Sequence, residues 1–263
     1  MELVHWTWPG AEPTALLLHG IGNYGRYWDL FADEVGGRLA LIAPDARGHG
    51  ESGRPASGYT PEDFVADAIA VLDSLGIGQA VIVGHSMGGL HSIHLASLHP
   101  QRVRALVIVD AGLEPLPEGS ERARRLLTER PARFASRAEA RAYFERTSPG
   151  YVDAVYRNRV EWALREERGG LVWRSDQRAL EQIMSGRAAP ANRWAALSAI
   201  SCPTLVVRGT RSNVLSADMA RRMVAALPHG SLLELEAGHN VALDQPAKLA
   251  DAVRAIAPNE PPV

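Results

Sequence analysis

The chain has 263 residues, 46% hydrophobic and 22% charged, which suits one sizeable globular domain with an elaboration or two small domains. A formal net charge of -2 gives nucleic acid or an anionic membrane surface nothing to bind, and neither is expected as a partner. The single cysteine, Cys202, rules out an intramolecular disulfide and reads as a buried structural thiol.

The opening MELVHWTWPG has no basic segment and no apolar core, so a signal peptide is not expected. No run approaches the roughly 20 apolar residues of a membrane span, and a cytoplasmic location is expected. Lys248 is the only lysine; the other basic residues are arginine. The first strand signal is ALLL, Ala15–Leu18. It leads into GIGNYG, Gly20–Gly25, which has the form G-x-G-x-x-G with Asp45 twenty residues after its last glycine. That is a dinucleotide-binding pattern. The bulky His19 before it and the motifs further along the chain compete with that use, and no cofactor is expected.

LALIA (Leu39–Ala43) reads as the next strand and Pro61–Leu75 as an amphipathic helix. AVIV (Ala80–Val83) then runs into Gly84-His85-Ser86-Met87-Gly88. This is G-x-S-x-G between a strand and a helix, the context in which the motif lifts a serine hydroxyl above the sheet. The turn is tight enough to demand small flanking residues, and it aims the Met87 N–H at the same point. His91, His94 and His99 follow on one helical stretch, but their spacing is not H-E-x-x-H and no acidic cluster joins them, so no metal is expected.

ALVIV (Ala105–Val109) is a further strand, ending at Asp110. From about Pro115 to Trp194 the patterning is helical, with no convincing strand. Ser120 to Ala195 holds 16 Arg against 10 Asp plus Glu, more in keeping with a solvated helix face than with an anion site. The strand signal returns at TLVV (Thr204–Val207), followed by a helix over Ser216–Leu227 and a strand at SLLELE (Ser231–Glu236). His239 follows that last strand after a Gly turn, and the tail APNEPPV is expected to fray. Nearly continuous apolar strands alternating with helices predict a doubly wound, mostly parallel α/β sheet. The expected organisation is core in 1–114, an all-helical cap in 115–195, and core again in 196–263.

LLLHG (Leu16–Gly20), PDARGHGES (Pro44–Ser52), GHSMGG (Gly84–Gly89), CPTLVVRG (Cys202–Gly209) and AGHN (Ala237–Asn240) together resemble an α/β-hydrolase with a helical cap, over nearly the whole chain. The resemblance implies a serine nucleophile, Ser86, and a general base, His239. It also implies an oxyanion hole from the N–H groups of Ile21 and Met87. By the same likeness His19 and the Asp45-Arg47-His49 segment are structural. Only ELVHWTW precedes ALLL, so the family's first strand is expected to be missing, leaving seven.

The third member of a triad is not fixed by the sequence. The family usually carries an Asp after the strand equivalent to TLVVRG, where this chain has Asn213. An Asn there cannot offset an imidazolium charge and can favour the wrong tautomer. Three explanations stay open: the acid has moved to Asp110, Asn213 is an introduced Asp→Asn change, or Asn213 is native and the triad is weakened. The expected chemistry is cleavage of an ester, thioester, lactone or activated carbon–carbon bond of a small molecule through an acyl-enzyme. Tyr24, Tyr27 and Trp28, with Trp162, Trp173 and Trp194 of the cap, suggest an apolar or aromatic substrate; packing explains them equally well. A cofactor-free oxygenase or proton-abstracting enzyme with a His239–Asp110 dyad, and a receptor-like homologue, are the alternatives. Oligomeric state is not legible.

Overall fold

The computed structural model describes residues 1–114, 116–186 and 190–257; the frayed tail expected at the C-terminus lies almost wholly outside them. The apolar runs form strands β1 (His5–Trp8), β2 (Ala15–Leu18), β3 (Leu41–Pro44), β4 (Ala80–His85), β5 (Val103–Val109), β8 (Thr204–Gly209) and β9 (Gly230–Leu235). They make one seven-stranded sheet in the order β1-β3-β2-β4-β5-β8-β9. Only β1 is antiparallel to its neighbour, so the sheet opens on a single antiparallel edge strand, as a seven-stranded version of the fold requires. Strand ends differ from the sequence expectation by one or two residues.

Both faces of the sheet are covered, which is why the central strands carry no polar alternation. One face packs on α1 (Asp29–Val35) and α11 (Pro246–Ile256), with Phe31, Val35, Leu249 and Val253 fully buried. The other packs on α2 (Pro61–Ser74), α3 (Met87–Leu98) and α9 (Ala217–Ala226), through residues such as Leu72, Ile93 and Met223. Helix α2 starts where Thr60 and Asp63 cap each other reciprocally and Pro61 sets the first turn. Strand order reverses around β2: its chain continuation β3 lies on one side and β4 on the other. Open α/β sheets bind ligands at such a switch point, at the carboxyl ends of the strands.

Between β5 and β8 the chain leaves the sheet. Helices α4 (Pro117–Thr128), α5 (Arg137–Thr147), α6 (Asp153–Trp162), α7 (Gln177–Ser185) and α8 (Pro190–Ser198) fill most of this insertion. It is not wholly helical, which corrects the sequence expectation. Strands β6 (Leu164–Glu167) and β7 (Gly170–Trp173) form an antiparallel hairpin, joined to Phe134 through Leu171. Each strand is only four residues long, and three of the four in β6 are exposed, so no apolar run or alternation marks them. Gly170 is demanded by the fold: a Cβ there would sit 2.1 Å from the Phe134 carbonyl oxygen. The remaining helices are α10 (Val241–Asp244) and two short 3-10 turns. Among the described residues no helix is long and apolar enough to cross a membrane.

Helix α3 lies close enough to β2 that a Cβ on Gly88 would stand 2.2 Å from the Leu18 carbonyl oxygen. Gly88→Ala must therefore displace backbone, at a cost of about 1–3 kcal/mol. A urea titration should show a lower midpoint at an unchanged slope.

Candidate active site

Ser86 stands on the turn between β4 and α3 with φ 54° and ψ −116°. Its N–H donates to the Val109 carbonyl at 3.0 Å, which fixes the turn against β5. The turn closes only because Gly84 and Gly88 meet: a Cβ on Gly84 would lie 2.4 Å from the Gly88 oxygen. The N–H of Met87 opens α3, where no intrahelical acceptor exists for it. Gly20 abuts the serine side chain, a Cβ there lying 3.1 Å from Ser86 Cβ, and so brings the Gly20–Ile21 backbone beside Ser86.

His239 follows β9 on a loop held by Asp244, whose carboxylate accepts the Gly238 N–H at 2.6 Å. Gly209 lets β8 approach this loop, since a Cβ there would be 2.2 Å from the Gly238 oxygen. His239 Nε2 is 3.1 Å from Ser86 Oγ, and its Nδ1 is 2.7 Å from Asp110 Oδ2. Asp110 has no exposed surface. Its carboxylate also accepts the Gly209 N–H at 3.0 Å and the Ser212 hydroxyl. Ser212 is itself fixed by accepting the Val214 N–H at 3.0 Å. Asn213 stands half-buried in the wall of the adjoining cavity. Of the two candidate positions, it is Asp110 that faces the imidazole.

Ser212 was not singled out by sequence reasoning. Its only signal is a hydroxyl in a turn after a strand, a common local role. His85 was also passed over. It lies beneath His239 with ring centroids 4.7 Å apart, stacks on Tyr27, and its Nε2 donates to the His239 carbonyl at 3.0 Å. Burial drives its pKa well below the ordinary histidine value, so it is a neutral floor to the site.

The loop Gly20–Gly25 is not free to cradle a phosphate. Asp45 accepts the Gly25 N–H at 2.6 Å and His49 Nε2 accepts the Gly22 N–H at 3.0 Å. His19 bridges the same loops, with Nδ1 2.8 Å from the Gly20 oxygen and Nε2 accepting the Ala46 N–H at 3.0 Å. These groups brace the loop that carries Ile21.

A cavity of about 450 Å³ lies between sheet and cap and holds Ser86 and His239 in its wall. Leu116, Leu127, Phe144, Tyr151 and Trp173 enclose it from the cap, and Ile21, Tyr24 and Met87 line it from the core. Trp28 does not reach it, which corrects its expected place at the substrate. It is fully buried against Tyr27 and Phe31, because the 3-10 turn over Gly25–Trp28 rotates it into the core. Trp162 packs on Trp6, and Trp194 donates its Nε1–H to Glu114, so Trp173 alone of the three cap tryptophans lines the cavity.

The sequence matches the alpha/beta hydrolase family over residues 15–252. The chain belongs to the alpha/beta hydrolase family. Similar proteins include a 3-hydroxybutyrate-oligomer hydrolase of Cupriavidus necator, 31% identical over 96% of this chain and 91% of that protein. An esterase of Mycobacterium tuberculosis is 29% identical over 95% of this chain and 84% of its own. Among solved structures, that of E-2-(acetamidomethylene)succinate hydrolase superposes with a TM-score of 0.86 at 26% identity, covering 94% of this chain and 92% of that one. The chain is therefore a hydrolytic enzyme.

Burial lowers the pKa of His19, His49 and His85, that of His49 to about 3. Each stays neutral in the folded hydrolase and takes up a proton on unfolding below its ordinary value near 6.5. The stability they contribute is present above that pH and falls as pH drops, by up to about 1.4 kcal/mol per pH unit for His49 with its folded value of about 3. Asp45, raised by burial, binds its proton earlier in the folded state and offsets part of the loss at the acid end. Urea midpoints should therefore decline from pH 7 to pH 5, and His49→Gln should flatten that slope by one proton's worth.

Proposed function

We propose that the chain is a serine hydrolase in which Ser86, His239 and Asp110 act as a triad. The observation that carries this reading is the contact chain from Ser86 Oγ to His239 Nε2 at 3.1 Å and from His239 Nδ1 to Asp110 Oδ2 at 2.7 Å. A serine hydroxyl is a weak nucleophile until a base within hydrogen-bond reach takes its proton. Here His239 removes the proton as Oγ bonds to the acyl carbon, and Asp110 offsets the imidazolium charge that results. The N–H groups of Ile21 and Met87 hold the oxyanion, usually the largest electrostatic contribution. His239 returns the proton to the leaving group as its bond to the acyl carbon breaks. Water, deprotonated by His239, then attacks the acyl-enzyme and regenerates Ser86.

The substrate is a small acyl compound, an ester, thioester or lactone, seated under Phe144, Tyr151 and Trp173. Those rings and Tyr24 favour an apolar or aromatic portion, and Tyr24 itself is tied down by its hydroxyl donating to Asn158. The relatives' names, for 3-hydroxybutyrate oligomers and for an esterase, agree with acyl chemistry on small molecules.

The rate at which a fluorophosphonate labels Ser86, followed by intact mass, tests the assignment of the acid. Asp110→Asn should slow labelling by ~10²–10⁴, the range expected for losing a triad acid. Asn213→Asp should leave it within a few-fold. Acceleration of ~10² or more by Asn213→Asp would move the acid to that position. Ser86→Ala should abolish ester turnover; retained turnover would favour a His239–Asp110 base acting without a nucleophile.

A further inference from the structure

The cavity walls are unequal in charge. Among the described residues four guanidinium groups line it, those of Arg130, Arg159, Arg193 and Arg211, against the single carboxylate of Glu114. Glu114 is paired with Arg222 at 3.2 Å, and Arg211 with Glu236 at 3.2 Å. Arg193 donates to the Leu113 carbonyl at 2.8 Å. Arg130 and Arg159 differ from these. Among the described residues no carboxylate stands within ion-pair distance of either.

Arg130 donates only to neutral acceptors, Ser175 Oγ at 2.8 Å, the Ser175 carbonyl and Gln177 Oε1, and it lies 4.5 Å from the Trp173 ring centroid. Burial lowers its pKa to about 10, so it stays charged at neutral pH. The Arg159 guanidinium sits 5.3 Å from the centroid of Tyr151 and 5.9 Å from that of Phe144. Phe144 and Trp173 meet edge to face at 5.7 Å, so the two arginines bracket one aromatic wall of the cap. This wall adjoins the catalytic loop, because Tyr151 accepts a hydrogen bond at 3.2 Å from Asn240, the neighbour of His239.

Aromatic faces offset part of a cation's desolvation but do not neutralise it. Charges withdrawn from water are normally paired, and a guanidinium presents a fork that matches a carboxylate with two parallel hydrogen bonds. Two guanidinium groups with no carboxylate partner among the described residues, in the wall of the cavity that holds Ser86, offer a place for an anion. We propose that the substrate carries, besides the acyl group attacked by Ser86, a second and ionised carboxylate that Arg159 binds directly, with Arg130 supplying positive potential beside it. This rests on the serine-hydrolase reading of the same cavity.

The test compares kcat/KM for the 4-nitrophenyl half-ester of glutaric acid, which has a free carboxylate, with that for neutral 4-nitrophenyl pentanoate. The wild-type hydrolase should prefer the half-ester by about 10-fold or more. Arg159→Met should reduce the charged-to-neutral ratio by about 10- to 100-fold, the range for a hydrogen bond to a charged group. Arg159→Lys, which keeps the charge, should retain part of the preference. A wild-type ratio near one, or a ratio unchanged in a folded Arg159→Met, overturns the proposal. Glutarate supplies a readout independent of turnover: it should raise the melting temperature of the wild type and not of Arg159→Met. Should Ser86 resist fluorophosphonate and neither ester be cleaved, the serine-hydrolase reading fails. The glutarate shift then still decides the anion site, its absence in the wild type counting against it.

Discussion

Taking the Asp110 carboxylate entirely out of water costs several kcal/mol unless donors meet it. The donors come from three separate places: the Gly209 N–H at the end of β8, the Ser212 hydroxyl in the loop beyond, and His239 in the loop after β9. No local segment can supply that set. It exists only when β5, β8 and β9 are paired in their observed register, with Val109 opposite Val207 and Gly209 opposite Leu235. Sheet pairing and site geometry are therefore one constraint: a slip of one residue would strand a buried charge as well as turn apolar side chains to the wrong face.

The same linkage explains where backbone strain is tolerated. Among the described residues, the only non-glycine residues with positive φ are Ser86 at 54° and Asp110 at 46°. Each lies just past the end of a central strand, and each costs on the order of 1–3 kcal/mol. Both are held by a staircase of hydrogen bonds that continues the sheet beyond its strands. Ser86 N–H reaches Val109 O at 3.0 Å, Asp110 N–H reaches Val207 O at 2.8 Å, and Thr210 N–H reaches Leu235 O at 2.8 Å. The side chains that leave the strand ends in unusual directions are the ones that converge on His239.

Much of this was legible in the residues because the signals were local. A continuous apolar run marks a doubly covered strand, and G-x-S-x-G after such a run places Ser86. The acid was not legible because the choice between Asp110 and Asn213 is a choice between the ends of adjacent parallel strands, β5 and β8. Sequence gives the strand ends but not which one points at the histidine loop. The loop that carries Asn213 still reaches Asp110, through the Ser212 hydroxyl. The hairpin at Leu164–Trp173 escaped for a different reason: its shape is set by contact with Phe134 and by glycines at Gly169 and Gly170, not by a hydrophobic period. Trp28 misled because large aromatic residues near a ligand loop look alike whether they line a cavity or fill a core.

The excess of arginine in the cap includes two groups with different surroundings. One group, including Arg124, Arg125, Arg133 and Arg137, is exposed and paired with nearby carboxylates. Exposed pairs of this kind contribute about 0–1 kcal/mol each and chiefly keep a helical surface solvated. Arg130 and Arg159 stand among aromatic rings with neutral partners or none among the described residues, and for Arg130 burial disfavours the charged form. Packing alone does not call for a charge at Arg130, since an apolar side chain of similar volume would fill the same wall without that desolvation. A cost in the empty state that an anionic ligand would relieve is how a binding site differs from a well-packed core. In this chain that difference sits on the cap, while the groups that meet at His239 sit on the sheet.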